Sequence, residues 1–395
     1  MDYLYKKHIR LINRTKIDFV RAYFSSLPWN ERMIAIKGSR GVGKTTLLLQ
    51  YIKNTYGLSH KALYVSLDDL YFTEHKLFDI VDDFVKKGGE YIFIDEVHKY
   101  PNWAIEIKNI YDYFDELRIV FTGSSLLEIL NSRADLSRRA LVFDMQGLSF
   151  REYLDLYHNL QLDVYSLSEI LTQHQEIAAH ISKIKPLQYF EDYLKRGYYP
   201  FSNSNEDFYF QRLREIVNMI IEIELPLLRK VETSKVRQLK HLLFIIAQSA
   251  PFKPNISALS QKTGISRKTL SEYINYLSDS NILYQLYHQS RGVSLLQKPE
   301  KIYLENTNVM FAISNDPDKG SQRETFFLNQ LKKEHKLTYP KTADFRVDEK
   351  YLFEIGGKSK NKKQIVGEDN AYLVLDNLEI GYDNVIPLWL FGLIY

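Results

Sequence analysis

The sequence predicts an α/β fold that opens with a parallel sheet built to hold phosphate, and three observations predict it. Between residues 33 and 150, short apolar runs alternate with amphipathic stretches. A glycine-rich loop follows the first run, and a later run ends in two adjacent carboxylates. Continuous apolar runs are the mark of strands covered on both faces, and parallel strands need crossover helices between them.

The runs fall at residues 33–37, 62–67, 91–95, 119–122 and 140–145, and segments 45–55 and 103–114 carry apolar residues at helical spacing. Five strands with their crossovers make one nucleotide-binding domain, placed at residues 1–156. Gly38-Ser39-Arg40-Gly41-Val42-Gly43-Lys44-Thr45, with Thr46 next, sits between the first strand and a helix and is a complete Walker A loop. Its glycines let successive backbone N–H groups converge on the β- and γ-phosphates of ATP, Lys44 adds a positive charge there, and the Thr45 hydroxyl takes a Mg²⁺ position.

Tyr91-Ile-Phe-Ile-Asp95-Glu96 has the Walker B pattern. Asp95 at the carboxyl end of that strand holds Mg²⁺, and Glu96 polarises the attacking water as general base. The strand ending at Phe121 runs into Thr122-Gly-Ser124-Ser125, small hydroxyl residues placed either to sense the γ-phosphate or to cap the helix expected from Leu126.

The bulk numbers set the frame. A chain of 395 residues exceeds one core, and 45% hydrophobic with 26% charged residues is a globular composition without disorder. Lys and Arg exceed Asp and Glu by only 52 to 49, so net charge by itself points to no nucleic-acid or membrane partner. Cysteine is absent, which removes disulfides and thiolate metal sites and fits a reducing cytoplasm. Lys6, Lys7, His8 and Arg10 interrupt the N-terminus, so no secretory signal is expected there. The longest apolar stretch, residues 386–395, is broken by Pro387 and far below the roughly 18 residues a membrane helix needs. It reads as a buried C-terminal strand, and the chain as a cytoplasmic protein.

After Phe150 the pattern is helical to about Lys235, with a break at Gly197 and Pro200, and residues 157–237 read as a helical lid or connector. In residues 238–298 a helix, a turn at Gly264 and a second helix precede an apolar segment at 282–287. That order resembles a winged helix-turn-helix, with Arg267 and Lys268 as candidate DNA contacts at the start of the recognition helix. Such domains also serve as protein-contact modules.

Residues 299–395 read as a small α+β domain. Asp344 precedes a hairpin whose second strand carries Glu354, with Lys358 beyond it and Glu324 on an upstream helix. Carboxylates and a lysine at one sheet edge resemble the core of PD-(D/E)xK nucleases, which bind Mg²⁺ and activate water. There the lysine follows the second acidic residue by two positions, whereas Gly356 and Gly357 push Lys358 to four. A nuclease-derived fold without activity is the favoured reading.

Together, Gly38 to Thr45, Tyr64-Val-Ser-Leu-Asp-Asp69, Phe93-Ile-Asp-Glu-Val-His98 with Pro101-Asn-Trp103, and Val120-Phe-Thr-Gly-Ser-Ser125 resemble prokaryotic AAA-type ATPases that carry a C-terminal domain of unknown function. The resemblance continues through Leu148-Ser-Phe-Arg-Glu-Tyr153 and Tyr193-Leu-Lys-Arg-Gly-Tyr-Tyr-Pro200. It implies a P-loop ATPase of the additional-strand, catalytic-glutamate type, with Lys44, Thr45, Asp95, Glu96 and Ser124 in the roles given above. Members show a Gly-Arg pair after the third motif. Here Leu136-Ser-Arg138-Arg139 stands in its place, so Arg139 is the candidate arginine finger, against a pair of solvated arginines.

Three functions follow as expectations. The first is an ATP-hydrolysing switch or motor acting on an unknown partner. The others are a DNA-processing enzyme whose ATPase gates a C-terminal nuclease, and a DNA-binding module modulated by ATP. The oligomeric state is not legible in the sequence.

Overall fold

The computed structural model describes residues 1–123, 136, 138–202, 205–248, 253–288, 298–314, 316–360, 365 and 367–395. The chain forms two compact units, Met1–Gly147 and Leu148–Tyr395.

In the first unit, β1 (Met33–Lys37), β2 (Ala62–Ser66), β3 (Tyr91–Asp95), β4 (Arg118–Gly123) and β5 (Leu141–Asp144) form one parallel sheet in the order β2-β3-β4-β1-β5. All five expected strands are present. Insertion of β4 between β1 and β3 is what sets the carboxyl ends of those three strands side by side, and β2 flanks β3 with Ser66 opposite Asp95. Ile34, Ile36, Ile92, Ile94, Ile119 and Val120 are wholly buried, each contributing about 1.5–3 kcal/mol of hydrophobic stabilisation. Helices Lys44–Thr55, Leu77–Lys86 and Trp103–Tyr113 supply the crossovers.

Helix Asp2–Arg14 opens the chain and buries Leu4, His8 and Ile12. The His8 imidazole accepts a hydrogen bond at Nδ1 from the backbone N–H of Tyr64 on β2, at 3.0 Å. Burial, with His60 as a lesser cause, pushes its pKa down to about 4. Protonation would put a donor where an acceptor is needed. A pKa depressed from 6.5 to about 4 gives stability that is complete above the unfolded value and is lost as pH falls towards the folded one, about 3 kcal/mol in all. The unfolding midpoint in urea is expected to fall between pH 7.5 and pH 4.5, and the fall should shrink in His8→Asn, whose amide oxygen accepts the same hydrogen bond without titrating. Equal pH sensitivity of both proteins would refute this role for His8.

The second unit begins with helices Phe150–His158, Leu167–Ile181 and Pro186–Arg196. The first two start in capping boxes, Ser149 with Glu152 and Ser166 with Glu169, each cap adding about 1 kcal/mol. Pro186 occupies the first turn of the third, and Gly197 ends it at the break expected there. Helix Glu206–Met219 continues through one π-helical stretch, Ile220–Glu224, into Leu225–Arg229.

Helices Val236–Gln248, Ile256–Thr263 and Arg267–Asp279 then lead into β6 (Leu283–Leu286), which pairs antiparallel with β7 (Lys301–Leu304). Gly264 makes the turn between the last two helices in the left-handed region, φ 69°, and Ser266 caps the second through the Thr269 N–H. A second five-stranded sheet follows from β8 (Leu337–Thr338), β9 (Phe345–Val347), β10 (Tyr351–Gly356), β11 (Ala371–Leu375) and β12 (Val385–Pro387). Its order is β12-β11-β10-β9-β8, with β8, β9 and β10 antiparallel in turn and β10, β11 and β12 parallel.

The apolar C-terminus departs from expectation. Only Val385–Pro387 is strand, and Leu388–Leu393 is a 3₁₀ helix with every residue buried. The segment is apolar on all sides rather than alternately, and Pro387 has no N–H to give a ladder. Phe391 instead packs against Phe327 and Phe353, and a Cβ on Gly392 would lie 2.5 Å from that of Phe150, so only glycine fits there. Among the described residues, no helix is long and apolar enough to cross a membrane.

Candidate functional site

The glycine-rich loop connects β1 to helix Lys44–Thr55. Two glycines are dictated by geometry. A Cβ on Gly38 would lie 2.3 Å from the Met145 carbonyl oxygen, and Gly43 enters the helix at φ 102°. Arg21, 6% exposed, pins the loop from behind. Its guanidinium donates to the carbonyl oxygens of Val42 (3.0 Å), Gln146 (3.1 Å) and Gly147 (2.7 Å).

Lys44 is buried, and its ammonium donates to the carbonyl oxygens of Gly38 at 2.7 Å and Ser39 at 3.0 Å. Burial pushes its pKa down to about 8, against the opposing pull of Glu96 and Asp95. Two carbonyl oxygens and two carboxylates at a distance leave an ammonium at that depth only partly compensated. Thr46 faces solvent on the first helical turn.

Asp95 is 1% exposed and is the hub of the site. Its Oδ2 accepts from the Thr45 hydroxyl at 2.6 Å and the Tyr64 hydroxyl at 2.9 Å. Its Oδ1 accepts from the Thr122 hydroxyl and, at 3.0 Å, from the Glu96 N–H. Burial and the Asp95 charge push the Tyr64 hydroxyl far up, which keeps it a donor. Tyr64 and Arg21 escaped the sequence reading. Tyr64 lies in a quoted motif, but only the β2–β3 pairing turns its ring towards Asp95.

Glu96 has a left-handed backbone, φ 53° and ψ 42°, which sparsely populates that region for a non-glycine residue and turns the chain sharply as β3 ends. Thr122, one of the hydroxyl residues placed either to sense the γ-phosphate or to cap the next helix, donates to Asp95. Ser124 lies outside the described residues. Arg139 makes a two-pronged pair with Asp112 at 2.8 and 3.0 Å, and Arg138 is exposed.

The C-terminal carboxylates also converge, on partners the spacing did not reveal. Lys301 on β7, 3% exposed, donates to Glu324 Oε2 at 2.8 Å and Asp344 Oδ1 at 2.9 Å. Tyr303 donates to the same Glu324 oxygen at 2.6 Å, and the Ile355 N–H to Asp344 Oδ2 at 3.0 Å. Burial would lower the Lys301 pKa, yet the two carboxylates outweigh it and hold it above its ordinary value. Burial and then Asp344 push both Glu324 and Glu354 up.

Lys360 pairs with Glu354, and Lys358 and Lys360 are both exposed. Past Gly357 the chain turns back, Lys360 N–H to Gly357 O at 2.9 Å, which lays Lys360 over Gly356 where a Cβ would meet it at 2.5 Å. Among the described residues, no three His, Cys, Asp or Glu side chains are grouped so as to hold a metal ion, and the carboxylates here are engaged with ammonium groups.

A parallel sheet with β4 inserted between β1 and β3, a complete phosphate loop and the Asp95–Glu96 pair define an AAA-type P-loop nucleotide-binding domain. Residues 30–154 match the family model described as an AAA domain, and residues 187–319 match one described as a domain of unknown function (DUF8612). Residues 30–154 are thus an AAA-type P-loop domain, followed in the chain by a domain of unknown function. It is similar to uncharacterized protein MJ1637 of Methanocaldococcus jannaschii, 26% identical over 371 residues that cover 85% of this chain and 78% of that protein. Among solved structures it is similar to the Walker-type ATPase of Pyrococcus abyssi, with 12% identity, 78% of this chain and 94% of that one covered, and a TM-score of 0.42. It is also similar to AMPPCP-bound DnaA of Aquifex aeolicus, with 16% identity, 65% and 84% covered, and a TM-score of 0.28.

Proposed function

We propose that the first unit hydrolyses ATP with Mg²⁺ and that the protein works as a nucleotide-driven switch or motor on a macromolecular partner. The observation that carries this reading is Asp95 Oδ2 holding the Thr45 hydroxyl at 2.6 Å, with Glu96 next in the chain. Thr45 and Asp95 are adjacent hard oxygen donors and suit Mg²⁺, which when bound supplies charge stabilisation to phosphate oxygens. Lys44 exchanges its carbonyl partners for the β- and γ-phosphates, and the loop N–H groups orient them. Glu96 accepts a proton from the water that attacks the γ-phosphorus. Arg139 and Ser124 are the candidates for neutralising charge on the transferred group. Arg139 would first have to leave Asp112. Steady-state phosphate release by the full chain, in Mg²⁺ and in excess EDTA, tests the reading, and equal release in both would sink it.

A second reading, DNA as the partner, is favoured by one observation. Arg267 and Lys268 stand exposed on the first turn of helix Arg267–Asp279, just past the Gly264 turn, with no acidic residue in that turn. Helix-turn-helix followed by an antiparallel pair is how a winged helix presents its recognition helix. The Lys301, Glu324 and Asp344 cluster supports a scaffold role for the last sheet, since the Lys301 ammonium already pairs with carboxylates that a nuclease would give to Mg²⁺. The expected outcome is duplex binding at low salt, with the salt slope lowered by about 2 in Arg267→Ala/Lys268→Ala, and no cleavage in Mg²⁺ or Mn²⁺. Electrophoretic mobility shift and plasmid nicking assays read both. Absence of binding at low salt would remove DNA from the account, and cleavage lost in Asp344→Ala and Glu354→Ala would promote the nuclease.

A further inference from the structure

One buried side chain at the nucleotide site has no part in the chemistry above. His98 follows Glu96 by two residues in the 3₁₀ turn Val97–Lys99, and its side chain is 5% exposed. Neither Nδ1 nor Nε2 has a hydrogen-bond partner among the described residues. A buried imidazole without one carries an uncompensated desolvation cost, which marks the position for explanation. Its Nε2 lies 3.4 Å from Glu96 Oε2. Burial pushes its pKa down to about 3, with Lys99, Arg40 and Lys44 adding to the fall and Asp68 opposing it. The ring is therefore neutral, beside the Glu96 carboxylate and within electrostatic reach of Arg40 and Lys44 of the phosphate loop.

We propose that His98 is a positioning residue for ATP hydrolysis: its neutral imidazole presents Nε2–H to the Glu96 carboxylate and fixes the orientation from which Glu96 addresses the water. This rests on the reading of Glu96 as general base. The contact is slightly long for a hydrogen bond, and catalytic contacts of this kind tighten when substrate is bound. His98 keeps its proton throughout. Glu96 takes the proton from water, and the imidazole N–H offsets the negative charge that the carboxylate presents to the γ-phosphate. The left-handed backbone at Glu96 points the same way, because the turn it creates brings residue 98 back beside residue 96. The role needs a donor of fixed direction, whereas packing needs only a ring of that size. The two therefore predict opposite rankings of substitutions.

The test is the full chain with His98→Phe, which keeps the ring and loses the N–H, and His98→Asn, which keeps a donor and loses volume. Positioning predicts a fall in kcat of about tenfold or more in His98→Phe, an unchanged KM and ATP affinity, and recovery of most of the activity in His98→Asn. Near-normal kcat in His98→Phe with loss in His98→Asn would assign the residue to packing and overturn the inference. Glu96→Gln, run alongside, separates the two levels of the argument. If it stops turnover while His98→Phe does not, only the role of His98 falls. If it turns over normally, Glu96 is not the base and both fall. Thermal unfolding of each variant with and without ATP confirms that a folded, nucleotide-binding protein is being compared.

Discussion

Lys44→Ala is expected to weaken ATP binding by about 100-fold or more, because it removes a buried cation from beside several phosphate charges. The ammonium is held by the carbonyl oxygens of Gly38 and Ser39, and burial depresses its pKa. Phosphate oxygens replace those neutral partners with charged ones, so binding keeps the lysine protonated and gains a charge-assisted interaction. Titration calorimetry with ATP reads the change directly. Because the loop backbone and Thr45 remain, the variant should still fold and should still bind Mg²⁺-nucleotide weakly at millimolar concentrations. Wild-type affinity in the variant would place the phosphates elsewhere.

Glu96→Gln is expected to retain ATP and to lower kcat by about 10²- to 10⁴-fold, the span that general-base catalysis supplies. The amide keeps the size and the left-handed backbone but cannot take a proton. Asp95 should be undisturbed, since the contact between the two residues is the Glu96 backbone N–H to Asp95 Oδ1 rather than the side chain. Coupled-enzyme ADP release measures turnover, and retention of a fluorescent nucleotide measures binding. A variant that loses binding and turnover together would show that Glu96 supports the site's structure instead.

The first sheet and its loop were legible because their signals are local. A strand buried on both faces announces itself by composition, and Gly38, Gly43, Lys44 and Thr45 act within one turn of backbone, so their spacing in the sequence is their spacing in space. Asp95 was legible from the strand it ends. What surrounds Asp95 was not, because Tyr64 comes from β2 and Thr122 from β4, and their directions depend on which strands are neighbours. Arg21 was invisible for the same reason, reaching residues 42, 146 and 147 from a short stretch with no periodicity.

The C-terminal cluster shows the limit most clearly. A lysine spacing after Glu354 drew attention to Lys358, but the backbone turn after Gly357 delivers Lys360, and the ammonium between Glu324 and Asp344 comes from Lys301, 23 and 43 residues away. A faint signal existed. Lys301 opens an otherwise apolar buried strand, a place where lysine is rarely found without a paired carboxylate. The C-terminal 3₁₀ helix was misread because an apolar run without alternation carries burial but no period, and only packing against Phe150, Phe327 and Phe353 chooses its conformation.

The central claim is that the P-loop unit cleaves ATP, and the most direct measurement follows the nucleotide on the protein. The full chain is held in excess over γ-labelled ATP, Mg²⁺ is added, and the reaction is quenched over time. The account predicts conversion of the bound ATP to ADP and free phosphate in a single exponential, at a rate no slower than steady-state turnover. ATP that remains bound and intact in Mg²⁺ long after it has saturated the site would contradict it.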